Sequence, residues 1–308
     1  MISRDILART DAIRAAYQGA QPFRHVCLEG FLEPDTAERL LAEFPPFDPR
    51  HAKSEMGRTG GKAVVTDIAS IGPGYKAFYD YMRSPAFLGA MSEMLGIPEL
   101  MFDPGMYGGG THENLDGQEL DPHIDFNYDP VSRLHRRLNL LIYLNKEWDP
   151  AWGGGIELHS DPRDWEHDAV KTFNCGFNRA VAFETNEHSW HGFPRIRLPE
   201  GKRHLSRKCI SVYLYTRSRP KEEIAPPHGT FYVQRPLPAR LAAGHTLTAE
   251  DMDELRRLLI FRDGWIKHYQ QRELELGRER ASVGAYLGSM LAKAKRRLHG
   301  SLQRLLHR

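Results

Sequence analysis

Cysteine is scarce in this chain: Cys27, Cys175 and Cys209 stand far apart, with no C-x-x-C pair among them. An odd, scattered set argues against a disulfide framework and a zinc ribbon, and it fits a reducing compartment. No apolar run approaches the roughly 20 residues needed to span a bilayer. The first residues, MISRDILARTDAIRAAYQGA, read as an amphipathic helix interrupted by charges and not as a signal peptide. A cytoplasmic location is the expectation. Neither sign of charge predominates, with 42 Lys and Arg against 40 Asp and Glu, so composition gives no signal for nucleic acid. There is no convincing internal repeat. The H-E-x-x-H signature, which would supply a zinc hydrolase with an adjacent glutamate base, is missing as well.

What is present is enough for one sizeable core: 308 residues, 41% hydrophobic and 27% charged. Residues 1–99 read as a helical layer. A first helix is expected over Asp5 to Tyr17, a short strand in FRHVCLEGFL, and a helix in EPDTAERLLAEFP with Pro34 in its first turn. Residues 50–65 read as a polar, Gly-rich surface loop, followed by two short helices separated near Pro85. From about Leu100 the pattern changes to short apolar segments between Gly and Asp turns, without intervening helices. That spacing points to an all-β sandwich or barrel over residues 100–220. Residues 221–247 read as a Pro-rich linker and an extended segment. Residues 248–308 read as a helical region opening on a Thr248/Asp251 capping pair and loosened at Gly277 and Gly284. The fold class is therefore α+β.

The chemistry concentrates around His123-Ile124-Asp125. Residues two apart on a strand share a face, so the imidazole and the carboxylate are presented side by side. They supply two of the three ligands of a two-histidine, one-carboxylate metal site, and a third histidine has to come from elsewhere. FETNEHSWHGF offers His188 and His191, and spacing alone leaves both open. Arg207 opens a later β-patterned run, where its planar guanidinium can grip a carboxylate through two parallel hydrogen bonds better than Lys208 could. Asn139 shares a strand face with Tyr143 and is placed to contact a cosubstrate or ligand.

The ordered set GGGTHENLDGQELDPHIDFNYDP, RRLNLLIYLNKEWDPAWGGGIELHS, FNRAVAFETNEHSWHGFP and RKCISVYLYT resembles the iron(II)/2-oxoglutarate-dependent oxygenases of the prolyl-hydroxylase-like group. The resemblance covers roughly residues 100–217. It implies a double-stranded β-helix, or jelly roll, between the N-terminal helical layer and the C-terminal helical extension. It implies that His123, Asp125 and His191 bind iron(II), with His191 favoured by its W-H-G context. It makes Arg207 and Tyr143 the partners of the 2-oxoglutarate carboxylate. Many relatives carry Ser or Thr two residues after that Arg, and this chain has Cys209, a weaker donor. Asn127, Tyr128 and Trp190 are candidate pocket walls. With O2 as oxidant, the implied reaction is hydroxylation of a C–H bond in a protein residue or small molecule, with release of succinate and CO2. Two other readings compete, a non-catalytic jelly-roll module and a zinc-dependent hydrolase. At the C-terminus, the helices are candidates for homo-oligomerisation. The basic tail from Lys293 is a candidate for contact with an acidic partner or surface.

Overall fold

The computed structural model describes residues 1–53 and 61–306. It divides into two compact units, Met1–Leu237 and Pro238–Arg308.

The first unit opens on helices. The expected single helix over Asp5 to Tyr17 is two, α1 (Arg4–Leu7) and α2 (Thr10–Gln18). The Thr10 hydroxyl donates to the Leu7 carbonyl at 2.9 Å and takes an acceptor that a continuous helix would use. α3 (Pro34–Ala42) starts on Pro34 and buries Ala37 and Leu40. α4 (Pro73–Met82) buries Tyr75, Phe78 and Met82 along one stripe. α5 (Pro85–Leu95) is capped by Ser84, which accepts from the Phe87 amide, and it ends on Gly96 in the left-handed region.

Two antiparallel sheets follow. The larger is ordered β1 (His25–Glu29), β10 (Arg179–Glu184), β7 (His135–Tyr143), β12 (Arg207–Thr216), β5 (Gly110–Asn114), β3 (Lys62–Val65) and β2 (Ala52–Lys53), with β4 (Met101–Phe102) also on β12. The smaller is ordered β13 (Phe231–Tyr232), β6 (Leu120–Ile124), β11 (Trp190–Phe193), β8 (Ile156–His159) and β9 (Val170–Phe173). Residues 62–65, expected in a loop, are thus a strand paired with β5, where the Ala63-Val64-Val65 run suits a sheet better than a surface. Residues 54–60 of that expected loop lie outside the described residues.

Alternation along the strands divides the molecule into layers. Leu138, Leu140 and Ile142 of β7 and Ile210, Val212 and Leu214 of β12 face the helices and share one core with Phe78, Phe87 and Met91. The residues between them turn inward: Leu141, Tyr143, Val181, Phe183 and Cys209 pack with Ile156 and Leu158 of the smaller sheet. This is the jelly roll, and its inner space holds the site.

In the second unit α6 (Ala249–Leu306) is one continuous helix and does not loosen at Gly277 or Gly284. A glycine inside a helix costs only about 1 kcal/mol against alanine, and no proline follows to stop the run. Thr248 and Asp251 cap it reciprocally, the Thr248 amide donating to the Asp251 carboxylate at 3.0 Å and the Asp251 amide to the Thr248 hydroxyl at 3.2 Å. The side chains of the basic tail from Lys293 lie outside the described residues. Among the described residues no helix is long and apolar enough to cross a membrane.

Candidate metal centre

His123 stands near the end of β6, Asp125 just beyond it, and His191 on β11 directly opposite His123 in the antiparallel ladder. One ligand atom from each lies within 4.8 Å of the others. His123 Nε2 is 3.7 Å from Asp125 Oδ1, and His191 Nε2 is 3.4 Å from Oδ2. A register shift follows His191, and Gly192 allows it: a Cβ there would meet the Leu120 carbonyl oxygen at 2.6 Å. The W-H-G context thus has a steric meaning. His188, the rival ligand, lies in the turn before β11 and is not part of the cluster.

The backbone fixes which nitrogen each imidazole offers. His123 Nδ1 is 2.9 Å from the Asp121 carbonyl and His191 Nδ1 is 2.8 Å from that of Ser189. A carbonyl can only accept, so both Nδ1 atoms carry the proton and both Nε2 lone pairs point to the shared centre. Burial, and behind it the second imidazole, pushes His123 down to about 3. His191 is lowered too, again mainly by burial. Both are therefore neutral and ready to ligate near neutral pH. Burial acts to raise the Asp125 carboxyl, but Arg136, the two imidazoles and the Asn139 amide outweigh it and hold it well below the usual carboxylate range.

Arg136 did not stand out in the sequence, because strict alternation sends it to the helical face together with Leu138. A bulge at Arg137, where Tyr215 pairs with Arg136 and Leu214 with Leu138, turns it to the inner face instead. There it is fully buried between the rings of Tyr213 (3.6 Å) and Phe126 (4.4 Å). Its Nη2 is 3.0 Å from Asp125 Oδ2. Asn139 donates to the same oxygen at 2.8 Å and accepts from Arg136 at 2.8 and 3.1 Å. Asn139, expected to contact a cosubstrate, thus uses its whole amide to hold a candidate ligand.

Arg207 is buried on the opposite wall. Its Nε donates to the Gly154 carbonyl at 2.7 Å, Nη1 to Asn114 Oδ1 at 3.3 Å and Nη2 to the Tyr143 hydroxyl at 3.1 Å. The guanidinium also lies in hydrogen-bonding contact with the Cys175 thiol, and no carboxylate among the described residues pairs with it. A buried cation without a counter-charge is costly. A small dicarboxylate such as the expected 2-oxoglutarate fits this fork. Tyr143 orients the fork, and Cys209 lines the cavity one position along the same face. Burial raises the Cys209 thiol, which remains protonated. Two residues further, Ser211 adds a hydroxyl to the same wall, 3.0 Å from His112 Nδ1.

These groups line one cavity of ≈ 150 Å³ that also takes in Lys62, Thr230 and Tyr232. The extended segment that follows the Pro-rich linker supplies its last wall: β13 pairs Tyr232 with His123, and the Tyr232 ring stacks on that imidazole at 5.0 Å. The three expected pocket walls are elsewhere. Asn127 fastens residues 226–228, donating to the Pro226 carbonyl and accepting from the His228 amide. Tyr128 packs on His135 under Arg133. Trp190 alternates with His191 and so faces away, beneath Arg163. No periodicity signal could have found Lys62 or the 230–232 segment, because they come from outside the motif-bearing stretch.

Residues 109–215 match the family model of the 2OG-Fe(II) oxygenase superfamily. No curated protein matches. Among solved structures, the chain is similar to a prolyl-4-hydroxylase from Pseudomonas putida at 14% identity and TM-score 0.43, covering 67% of this chain and 99% of that one. It is also similar to a prolyl 4-hydroxylase from Phytophthora capsici at 17% identity and TM-score 0.43, covering 87% and 73%. A third is the α-ketoglutarate-dependent epimerase SnoN from nogalamycin biosynthesis, at 14% identity and TM-score 0.47, covering 79% and 97%.

Proposed function

We propose that this chain, which matches the model of the 2OG-Fe(II) oxygenase superfamily over residues 109–215, holds iron(II) through His123, Asp125 and His191, binds 2-oxoglutarate through Arg207, and hydroxylates a C–H bond. The observation that carries the reading is the convergence of two Nε2 lone pairs and one carboxylate on a single buried point, across the cavity from a guanidinium that has no carboxylate partner among the described residues. When bound, iron(II) and 2-oxoglutarate with O2 supply the oxidising power and release succinate and CO2. The chain's own residues do the positioning. The carbonyls of Asp121 and Ser189 set the imidazole tautomers, Arg136 and Asn139 fix one Asp125 oxygen, and Tyr143 and Gly154 hold the Arg207 plane toward the cavity. Leu141, Phe183 and Phe193 line the rest and exclude water.

Purified protein given iron(II) and 2-oxoglutarate without oxygen should show the charge-transfer absorption of the chelate. Admitting oxygen with a metabolite or peptide library should then couple succinate formation to the gain of one oxygen atom by a substrate. Turnover that does not need 2-oxoglutarate would instead favour a hydrolase. A homo-oligomer would bury Leu259 and Ile266 of α6, which are exposed and one heptad apart. The molar mass in solution at two concentrations tests that association.

A further inference from the structure

We propose that the primary substrate is a neutral small molecule bearing a hydroxyl group, and that Ser211, set by His112, accepts the hydrogen bond from that group. The inference rests on the oxygenase reading above and extends it to substrate class. It starts from a relay between β5 and β12. His112 Nε2 is 3.2 Å from the Gly108 carbonyl, and Nδ1 is 3.0 Å from the Ser211 hydroxyl. The carbonyl can only accept, so Nε2 carries the proton. Burial, and after it neighbouring positive charge, pushes His112 well below its ordinary range, so the ring is neutral and Nδ1 is bare. The Ser211 proton is therefore committed to Nδ1. The other near neighbour of this hydroxyl, the Cys209 thiol at 3.9 Å, is a weak donor. Ser211 lines the cavity and offers it lone pairs alone.

A carboxylate can only accept as well, so the relay is a poor partner for 2-oxoglutarate and a good one for a donor. Turning the Ser211 proton toward a carboxylate would strand Nδ1 inside the protein without a partner, which is costly. The relay also stands apart from the groups already engaged. Asn139 of β7 holds Asp125, the Phe183 ring of β10 lies 4.7 Å from that of His191, and Tyr143 of β7 orients Arg207. The wall at His112 and Ser211 is left to a second molecule. An ammonium group would donate too, but it needs a counter-charge. The one carboxylate lining the cavity, Asp125, is already paired with Arg136. A peptide amide is the other donor. An extended peptide most readily reaches β6 by pairing along its edge, and β13 fills that edge, pairing Phe231 with Ile124 and Tyr232 with His123. Asn127 holds the approach to β13 through Pro226 and His228, and Arg235 holds its exit through the Leu120 carbonyl at 3.2 Å and Glu157 at 2.8 Å. The geometry therefore suits the hydroxyl of a small, uncharged substrate.

The test uses the full chain loaded with iron(II) and 2-oxoglutarate. Deproteinised small-molecule extract is passed through cation and anion exchangers, and the neutral flow-through is compared with the two retained fractions and a peptide digest. Only the neutral fraction should raise succinate formation above the uncoupled background. Acetic anhydride, which masks hydroxyls, should abolish that stimulation, and mild base, which cleaves the ester, should restore it. Without oxygen, the neutral fraction should raise the melting temperature of the loaded protein, and its acetylated form should not. These arms need no variant. Ser211→Ala should raise the dose for half-stimulation roughly three- to tenfold, the range for losing one neutral hydrogen bond. Ser211→Thr, which keeps the hydroxyl, should recover most of that loss. The charge-transfer absorption and the 2-oxoglutarate requirement should be unchanged in both. Stimulation by a retained fraction or the digest, none by the neutral fraction, stimulation that survives acetylation, or an unshifted dose in Ser211→Ala would overturn the proposal. A raised 2-oxoglutarate requirement in Ser211→Ala would overturn it too, by assigning the hydroxyl to the cosubstrate. A wild-type protein with no charge-transfer absorption would instead sink the oxygenase reading beneath it.

Discussion

Arg136 Nη2 lies 3.0 Å from Asp125 Oδ2, and the two meet because β7 carries one more residue than β12 opposite Arg137. The pair is buried, so the arginine acts as a fixed positive wall behind the carboxylate, with Asn139 bracing both.

Arg136→Met should therefore weaken iron binding. Partners of this kind typically cost about 10–100-fold in metal affinity when removed. Anaerobic titration with iron(II) reads the change, and an unaltered affinity would mean that Asn139 alone suffices to hold Asp125.

His191→Ala should abolish the charge-transfer absorption, whereas His188→Ala should leave it. Only His191 faces His123 across the ladder. The reverse result would show that the choice of distal ligand is wrong.

Arg207→Ala should raise the 2-oxoglutarate requirement steeply while iron still binds, since each charge-assisted hydrogen bond is worth on the order of 1.5–3 kcal/mol. Cys209→Ser should change it only modestly. Half-saturation measured by succinate formation checks both, and an unchanged requirement in Arg207→Ala would move the carboxylate site elsewhere.

Metal-free protein should lose stability as the pH falls. His123 takes up its proton near pH 6.5 when unfolded but only at about 3 when folded, mainly because it is buried. Between those limits the unfolded chain binds more protons, so acid favours unfolding. His191, also lowered, acts in the same direction. The stabilisation is present above about pH 6.5 and disappears as the pH falls through the folded value. Thermal melts in chelator at stepped pH read this, and a flat profile across that window would contradict it.

Gly192→Ala should cost iron binding first. The added methyl would press on the Leu120 carbonyl and the Pro122 nitrogen, both backbone atoms that cannot swing aside. β6 and β11 would have to separate, taking His123 from His191. Iron titration and circular dichroism together check it: metal affinity should fall with strand content largely kept.

Much of the frame was legible because strand alternation and cap chemistry are local. The inward face of β12 follows from Arg207 by twos, Pro34, Pro85 and Thr248 mark helix starts, and the histidine–aspartate pair needs only period two. The hidden parts depend on events that break a period or join distant segments. Arg136 reaches the site through a bulge, and β3 and β13 are too short to announce themselves before β5 and β6 are there to pair with them. Gly277 misled in the other direction, because its cost is spread over a long helix whose neighbours favour the helical state. Asn127 and Trp190 were misplaced for a simpler reason. Proximity in sequence to a ligand says nothing about which side of the sheet a side chain occupies.

The direct opposition of His123 and His191 has a mechanical side. The two strands belong to one ladder but are joined by a long stretch of chain that includes β7, β8, β9 and β10. An ion gripped by both histidines is consequently a cross-link, and it closes that whole stretch into a loop. Closing such a loop removes freedom chiefly from the unfolded chain, by an amount that grows slowly with loop length. Because only the folded chain aligns the two Nε2 atoms, the ion's affinity adds to the stability of the native state by mass action. An ion held there for the chemistry would also rivet the smaller sheet.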